Sequence, residues 1–332
     1  MQEVVAEAFV KAGMNEADAH TCARVHSESS CDGVYSHGLN RVARFVDYLQ
    51  RGWVDPNGKP ALVKKLGVIE IYDGNQGPGI LNAFHATDRA MAIAKEQGVG
   101  IVTLRNTTHW MRGGTYGWYA ADRGFVAISW TNTESCMPAW GGKNTRLGNN
   151  PFVMAVPRKK GHIVLDMAMS QYSYGKLQVT RLKGAQLPFP GGFSKDGVLT
   201  SEPGPIEESM RILPMGYWKG SGFAILLDTL AAVLSEGIAT NDIDQVKKGS
   251  CTGCSQVFMV FDPRQLGGEE FTDRVADGVA DYVNSSTPAE NSKEVTYPGQ
   301  STARIRADHR ANGVVVDDGV WAEVLKLAGR SA

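Results

Sequence analysis

Residues 68–86 read VIEIYDGNQGPGILNAFHA: an apolar run, a glycine-rich turn and a helix-forming segment, in the order that opens a dinucleotide-binding unit. The periodicity predicts a strand over 68–72 and a helix over 81–96. The glycines decide which kind of α/β fold this is. A Rossmann fingerprint needs G-x-G-x-x-G, yet Gly77-Pro78-Gly79 is followed by Ile80-Leu81-Asn82, so the third glycine is missing. Pro78 also stands where the tight phosphate turn belongs. The stretch is a strand–turn–helix without a Rossmann phosphate site.

The same alternation continues on either side. Strands are predicted at 100–104, 126–130, 153–156, 163–167 and 257–261, and helices at 116–123, 222–235, 272–284 and 320–327. Residues 2–52 are helical in three segments, broken at Gly13-Met14-Asn15 and around Cys31-Asp32-Gly33, and stopped by Asp55-Pro56-Asn57-Gly58. No repeat is visible. The expected architecture is an α/β body with a helical N-terminal piece, its strand order undetermined.

With 332 residues, 42% apolar and 21% charged, the chain has ample core, and its net charge of −1 offers no field for nucleic acid or an anionic membrane. MQEVVAEAFVKAGM lacks the apolar core of a signal peptide, and the most apolar stretch, 223–234, holds Asp228 and is too short to span a bilayer. Five cysteines, an odd and sparse set, suit a reducing cytosol. Cys251-Thr-Gly-Cys254 supplies two ligands where zinc takes three or four, with no second pair or histidine nearby, so it reads as a loop with no metal.

Chemistry concentrates in GVYSHGLNRVAR (33–44). On a helix, Leu39, Val42, Val46 and Leu49 share an arc of roughly 80°, and His37, Arg41, Arg44 and Tyr48 share one on the far side. The polar set is either a solvated face or a site for an anionic substrate that needs a proton. His109, past a predicted strand, is either a ligand contact or a loop histidine bonded to backbone. Asp166, ending an apolar strand, is a turn residue or an orienter for an imidazole. Lys219-Gly220-Ser221 lacks P-loop order; it opens an apolar helix, with either anion-binding N–H groups or a plain Ser221 cap. Asn149-Asn150-Pro151 is simplest as a turn. Acyl transfer is disfavoured: Ser36 adjoins His37, and no G-x-S-x-G elbow exists.

Taken together, YSHGLNR, RNTTHWMRGG, LGNNP, LDMAMS and GYWKGSG resemble the malate/L-lactate dehydrogenase family that lacks a Rossmann fold, in order along nearly the whole chain. The resemblance implies a non-Rossmann, mixed-sheet α/β domain binding NAD(P)H over 66–302, and a helical domain from 1–65 joined by 303–332. It implies a cytoplasmic homodimer that reduces a small-molecule 2-keto acid or 2,3-diketo sugar acid. His37 then matches the proton donor, Ser36 and Asp166 its orienting partners, Arg41 a carboxylate contact and His109 a second polar group at the substrate. Cofactor contacts fall on His162, Ile163, Val164, Leu165, Asp166, Met167 and Ala168, on Trp218 and Lys219, and on Gly299, Gln300 and Ser301. NADH is the implied cofactor. NADP is admitted because Gln300-Ser301 stands where relatives often have an acid, and Arg158-Lys159-Lys160 adds cations. Other 2-hydroxy acids (malate, lactate, ureidoglycolate, sulfolactate), a cyclic imine, or a non-enzymatic nucleotide sensor are the alternatives.

Overall fold

The computed structural model describes residues 1–250 and 252–331, so Cys251 of the CTGC stretch lies outside the described residues. The helical start is as expected. Helix α1 (Gln2–Lys11) stops at Gly13, whose φ of +105° suits glycine, and α2 (Glu16–Cys31) is capped by Asn15, which accepts the Asp18 N–H at 3.0 Å.

The third segment differs from expectation. Residues 35–37 and 39–41 form two short 3₁₀ turns hinged at Gly38, and α3 (Val42–Gln50) begins only at Val42. The cause is a close approach: a Cβ on Gly38 would stand 2.1 Å from Ser30 Oγ, which also accepts the Leu39 N–H at 2.9 Å. His37 and Arg41 therefore do not share one α-helix, although Leu39, Val42, Val46 and Leu49 are all buried as the periodicity requires.

Next come β1 (Ala61–Leu66), β2 (Ile69–Asp73), α4 (Gly79–Gln97), β3 (Val99–Thr107), α5 (Gly114–Ala121), β4 (Val126–Thr131), β5 (Phe152–Val156) and β6 (Ile163–Met167). Helices α6 (Tyr174–Leu182), α7 (Pro203–Ser209), α8 (Trp218–Ser235) and α9 (Thr240–Val246) precede β7 (Cys254–Phe261). The chain ends with α10 (Gly268–Asn284), α11 (Gln300–Asn312) and α12 (Asp318–Leu327).

The seven strands form one sheet in the order β1-β2-β3-β7-β4-β5-β6. Only β2 and β3 are parallel, with α4 as their crossover; every other neighbouring pair is antiparallel. The glycines of 74–79 serve this crossover. Gly79 N–H donates to Thr108 Oγ1 at 2.9 Å, and the Thr108 hydroxyl donates to Gly77 O at 2.8 Å. A Cβ on Gly79 would stand 2.1 Å from the Thr108 carbonyl oxygen. Thr108 thus fills the helix N-terminus that a Rossmann unit leaves for phosphate.

Alternate residues of β7 face opposite layers. Phe258 and Val260 join Val102, Leu104 and the helices α4 and α5, whereas Val257 joins Trp130 and the Ala224, Leu227 and Ala231 face of α8. Each large buried side chain there stabilises the fold by roughly 1.5–3 kcal/mol. Helix α11 packs on α2, and α12 on α1 and α3. The N-terminal helices share their apolar cluster with α4, α5 and the sheet. The strand at 61–66 pairs with β2, so the helical layer ends before residue 61 rather than at 65. Among the described residues no single helix is long and apolar enough to cross a membrane.

Candidate active site

The hinge at Gly38 turns the 35–37 segment so that Ser36 Oγ lies 3.1 Å from His37 Nδ1. Ser36 itself sits under the start of α6, where a Cβ on Gly175 would come within 3.3 Å of its Cβ. With Nδ1 engaged, His37 has Nε2 left for a substrate. Its ring centre is 5.7 Å from that of His109.

His109 is carried by the 106–113 loop, in which Asn106 and Met111 hold φ of +49° and +62°. Non-glycine residues enter that region only when the surroundings force them. Here the bend lets the Met111 N–H donate to His109 Nδ1 at 2.9 Å. A backbone N–H can only donate, so neutral His109 carries its proton on Nε2. His109, Thr108 and Met111 line a cleft with Arg41, Arg44 and Tyr48. The polar face read from 37–48 therefore does assemble, through a hinge rather than one helix.

The electrostatics are set by burial and by arginines. Burial foremost, then Arg41, Arg112 and His26, push the His37 pKa down to about 4. Burial, Arg41 and the neighbouring His37 hold His109 well below the ordinary range. Both rings are neutral at pH 7.

Asp166 occupies a different place from the one expected. Its Oδ2 accepts the Gly114 N–H at 2.8 Å, at the first turn of α5, and lies 3.7 Å from Arg112 Nε. An anion at a helix N-terminus is favourable there, although burial raises the carboxyl pKa. No hydrogen bond joins Asp166 to His37 among the described residues; the group bonded to the imidazole is Ser36. The side-chain alternation of β6 and the Gly114 amide fix the carboxylate on the α5 side.

The segments expected to hold the cofactor meet at edge strand β6. Pro298 O accepts the Val164 N–H at 2.9 Å, and Gly299, with φ of +94°, sits so close that a Cβ would stand 3.1 Å from Val164 N. At the other end, Met169 O accepts the Met215 N–H at 2.7 Å, just ahead of α8. That helix starts at Trp218, four residues earlier than predicted, so Lys219 lies in its first turn. Ser221 is not its cap: Ser221 Oγ accepts the Trp140 N–H at 3.0 Å. Trp218 is exposed, and Lys219 makes no ion pair among the described residues. The strip thus offers a close backbone edge, an aromatic face and a cation, a donor set that fits a dinucleotide. His162 is held from both sides, Nδ1 by the Arg158 N–H at 3.0 Å and Nε2 by Asp122 at 2.9 Å.

Two sequence readings meet an unforeseen setting. Arg158, Lys159 and Lys160, read as cations for a 2′-phosphate, are each paired with acids. Arg158 is buried on Asp277, Lys159 pairs with Asp273 at 3.1 Å and Lys160 with Asp277 at 2.9 Å, all on α10. Asn150 is more than a turn: fully buried, it accepts the Thr133 N–H at 3.0 Å and donates to Ala224 O at 2.9 Å. Sequence reasoning also left Arg112 and Asp32 unassigned. The signal for Arg112 was its place in HWMRGG, between an aromatic pair and the glycines that start α5.

Comparison with known proteins accords with this geometry. Residues 1–325 match a family model described as malate/L-lactate dehydrogenase. The chain is 42% identical over 319 residues to the 2,3-diketo-L-gulonate reductase of Escherichia coli K12, covering 96% of each chain. The sulfolactate dehydrogenase of Methanocaldococcus jannaschii superposes with a TM-score of 0.88 at 29% identity, over 99% of this chain and 96% of that one. The malate dehydrogenase of Pyrococcus horikoshii gives 0.89 at 26% identity, over 100% and 94%.

Proposed function

The chain belongs to the malate/L-lactate dehydrogenase family, and we propose that it is an NADH-dependent reductase that converts 2,3-diketo-L-gulonate to 3-keto-L-gulonate in the cytoplasm. The observation that carries this reading is the pairing of two neutral, half-buried imidazoles: His109 lines a cleft with Arg41 and Arg44, and His37 stands beside it, 5.7 Å away between ring centres. A 2-keto acid suits this setting: its carboxylate matches a guanidinium such as that of Arg41, and its carbonyl oxygen must gain a proton.

When bound, a nicotinamide cofactor would supply the hydride for the keto carbon. Trp218, Lys219, the Gly299–Ser301 start of α11 and the β6 edge would hold the dinucleotide. Arg41 grips the substrate carboxylate. The negative charge of that carboxylate near His37 favours the imidazolium, so the ring takes up a proton as substrate binds. His37 Nε2 donates that proton to the carbonyl oxygen while Ser36 Oγ accepts from Nδ1–H and fixes the ring. His109, with its proton on Nε2, donates a hydrogen bond toward the same oxygen or the neighbouring one. Asp166, at the α5 N-terminus, balances the cationic charge of Arg112 beside the site.

A homodimer is part of the proposal. The outer face of α8 exposes Leu226, Leu230 and Val233, and the β1 edge exposes Leu62 and Leu66, an apolar area that a second copy would cover. The test follows NADH and NADPH oxidation with 2,3-diketo-L-gulonate, pyruvate, oxaloacetate, sulfopyruvate and a cyclic imine. The highest kcat/KM belongs to the diketo acid with NADH. A winning sulfopyruvate or oxaloacetate would reassign the substrate, and oxidation of none would end the enzymatic reading.

A further inference from the structure

A chain of four charged side chains, its middle pair buried and its two ends partly exposed, runs from the site to the C-terminal helices. Arg112, 6% exposed, is hydrogen-bonded through Nη1 to Asp32, which is 5% exposed. Arg306 grips Asp32 from the other side, Nε to Oδ1 at 2.6 Å and Nη2 to Oδ2 at 2.7 Å. Toward the site, Arg112 Nε lies 3.7 Å from Asp166 Oδ2 and makes no hydrogen bond of its own. Two cations and two anions cancel, which is the condition under which such groups tolerate burial.

The four residues sit on separate pieces of the fold: the end of α2, the loop before α5, strand β6 and helix α11. Helix α11 has no fully buried residue; Ala303 packs half-buried on the core and Ile305 lies beside Gly33. Polar attachments add to these contacts: Arg306 to Asp32, and His309 Nδ1 to Cys31 O at 2.7 Å. The Arg306 guanidinium also stacks 4.4 Å over Trp118, and a Cβ on Gly299 would stand 3.3 Å from the same indole. Gly299, Gln300 and Ser301 form the start of this helix and the last of the cofactor segments.

We propose that Arg112 is a positioning residue that, with Asp32 and Arg306, couples the docking of α11 to the placement of Asp166 and the charge around His37. This inference rests on the hydride-transfer reading of the site. Its physical content is that one fork, the Arg112 guanidinium, spans two carboxylates that belong to different tasks. Asp32 secures the helix that closes on the cofactor, and Asp166 stands beside the acid–base group. The groups facing His37 include Ser36, Arg41, His109, His26 and Arg112, and Arg112 is tied to α11 through Asp32.

The test uses the full chain without ligands, in the variants Arg306→Gln, Arg112→Lys and Arg112→Gln. Amide hydrogen exchange reports α11, and NMR of labelled histidine, assigned with His37→Gln, reports the His37 titration. Arg306→Gln is expected to speed exchange across 300–312 by about tenfold or more. Arg112→Gln is expected to do the same and to raise the His37 midpoint; Arg112→Lys keeps the charge but not the fork, so it loosens α11 while leaving His37 near its original midpoint. Folded variants with unchanged α11 exchange and an unchanged His37 midpoint overturn the proposal, even if their melting temperature falls. Neither readout needs turnover, so failure of the substrate panel and failure of this coupling are separate results.

Discussion

The Asp166 carboxylate and the Gly114 amide meet at 2.8 Å across a gap that only glycine leaves open, since a Cβ on residue 114 would stand 2.7 Å from Oδ2. The φ of Gly114 is not positive, so the constraint is space rather than backbone strain. Gly114→Ala should therefore fold yet displace the carboxylate, lowering kcat by about 10–10²-fold. Steady-state kinetics beside an unchanged far-ultraviolet spectrum check this; wild-type turnover would deny Asp166 any part in the reaction.

His37→Ala should bind NADH with little change and lose about 10²–10⁴-fold in turnover. Ser36→Ala, which frees the ring but leaves the acid, should lose less, about tenfold. Fluorescence titration separates cofactor binding from turnover in each. Near-normal turnover without His37 would falsify its role as proton donor.

The pH dependence has a definite sign. Burial and the flanking arginines hold free His37 down to about 4, so near pH 7 only a small fraction is protonated. Reduction needs that fraction, and kcat/KM for the keto acid should rise about tenfold per unit as pH falls from about 8 toward 5. Oxidation of the hydroxy acid needs the neutral ring and should be flat over the same range. A flat reduction profile counts against His37 as the acid.

Cofactor choice should not depend on the basic run. Lys159→Ala and Lys160→Ala remove cations already neutralised by Asp273 and Asp277, so the NADH/NADPH ratio of kcat/KM should stay within about twofold of wild type. A large drop in NADPH use in either variant would restore the 2′-phosphate role.

His26 offers a stability test apart from the chemistry. It is fully buried, its Nδ1 bonded to Cys22 O at 2.8 Å, and burial pushes its pKa down to about 4. Its folded value is depressed, so below pH 6.5 the unfolded chain binds the extra proton and stability falls as pH drops toward 4. The loss is on the order of 3 kcal/mol at most for this residue. Urea midpoints at pH 7, 5.5 and 4.5 measure it, and His26→Gln should flatten the trend.

The elements were legible where apolar periodicity is strong. The strand over 163–167 and the helices of 81–96 and 320–327 lie where the sequence puts them, because each has one face to bury. Gly38 was not legible as a hinge: its requirement comes from Ser30 on another helix, and no local pattern announces a contact across α2. The α11 helix was missed for a related reason. It has no fully buried residue, so no apolar stripe marks it, and its polar anchors, an ion pair to Asp32 and a hydrogen bond to Cys31 O, reach residues some 270 positions away. His37 beside Ser36, and Arg41 beside His109, stood out in the sequence as candidate residue types and the fold brings each pair together, whereas the seat of Asp166 depends on an amide whose position only the fold determines.

Strand β7 lies between β3 and β4 in the sheet, yet it follows β4 in the chain by more than a hundred residues, which hold β5, β6 and the helices α6 to α9. Until it arrives, β3 and β4 each present an unpaired edge, and the apolar layers on both faces lack the side chains that join them. A chain emerging from the ribosome therefore cannot complete its core until most of its length has been made, and the wait leaves open strand edges exposed to other chains. The order in which this protein is synthesised makes its last strand the one that commits the rest.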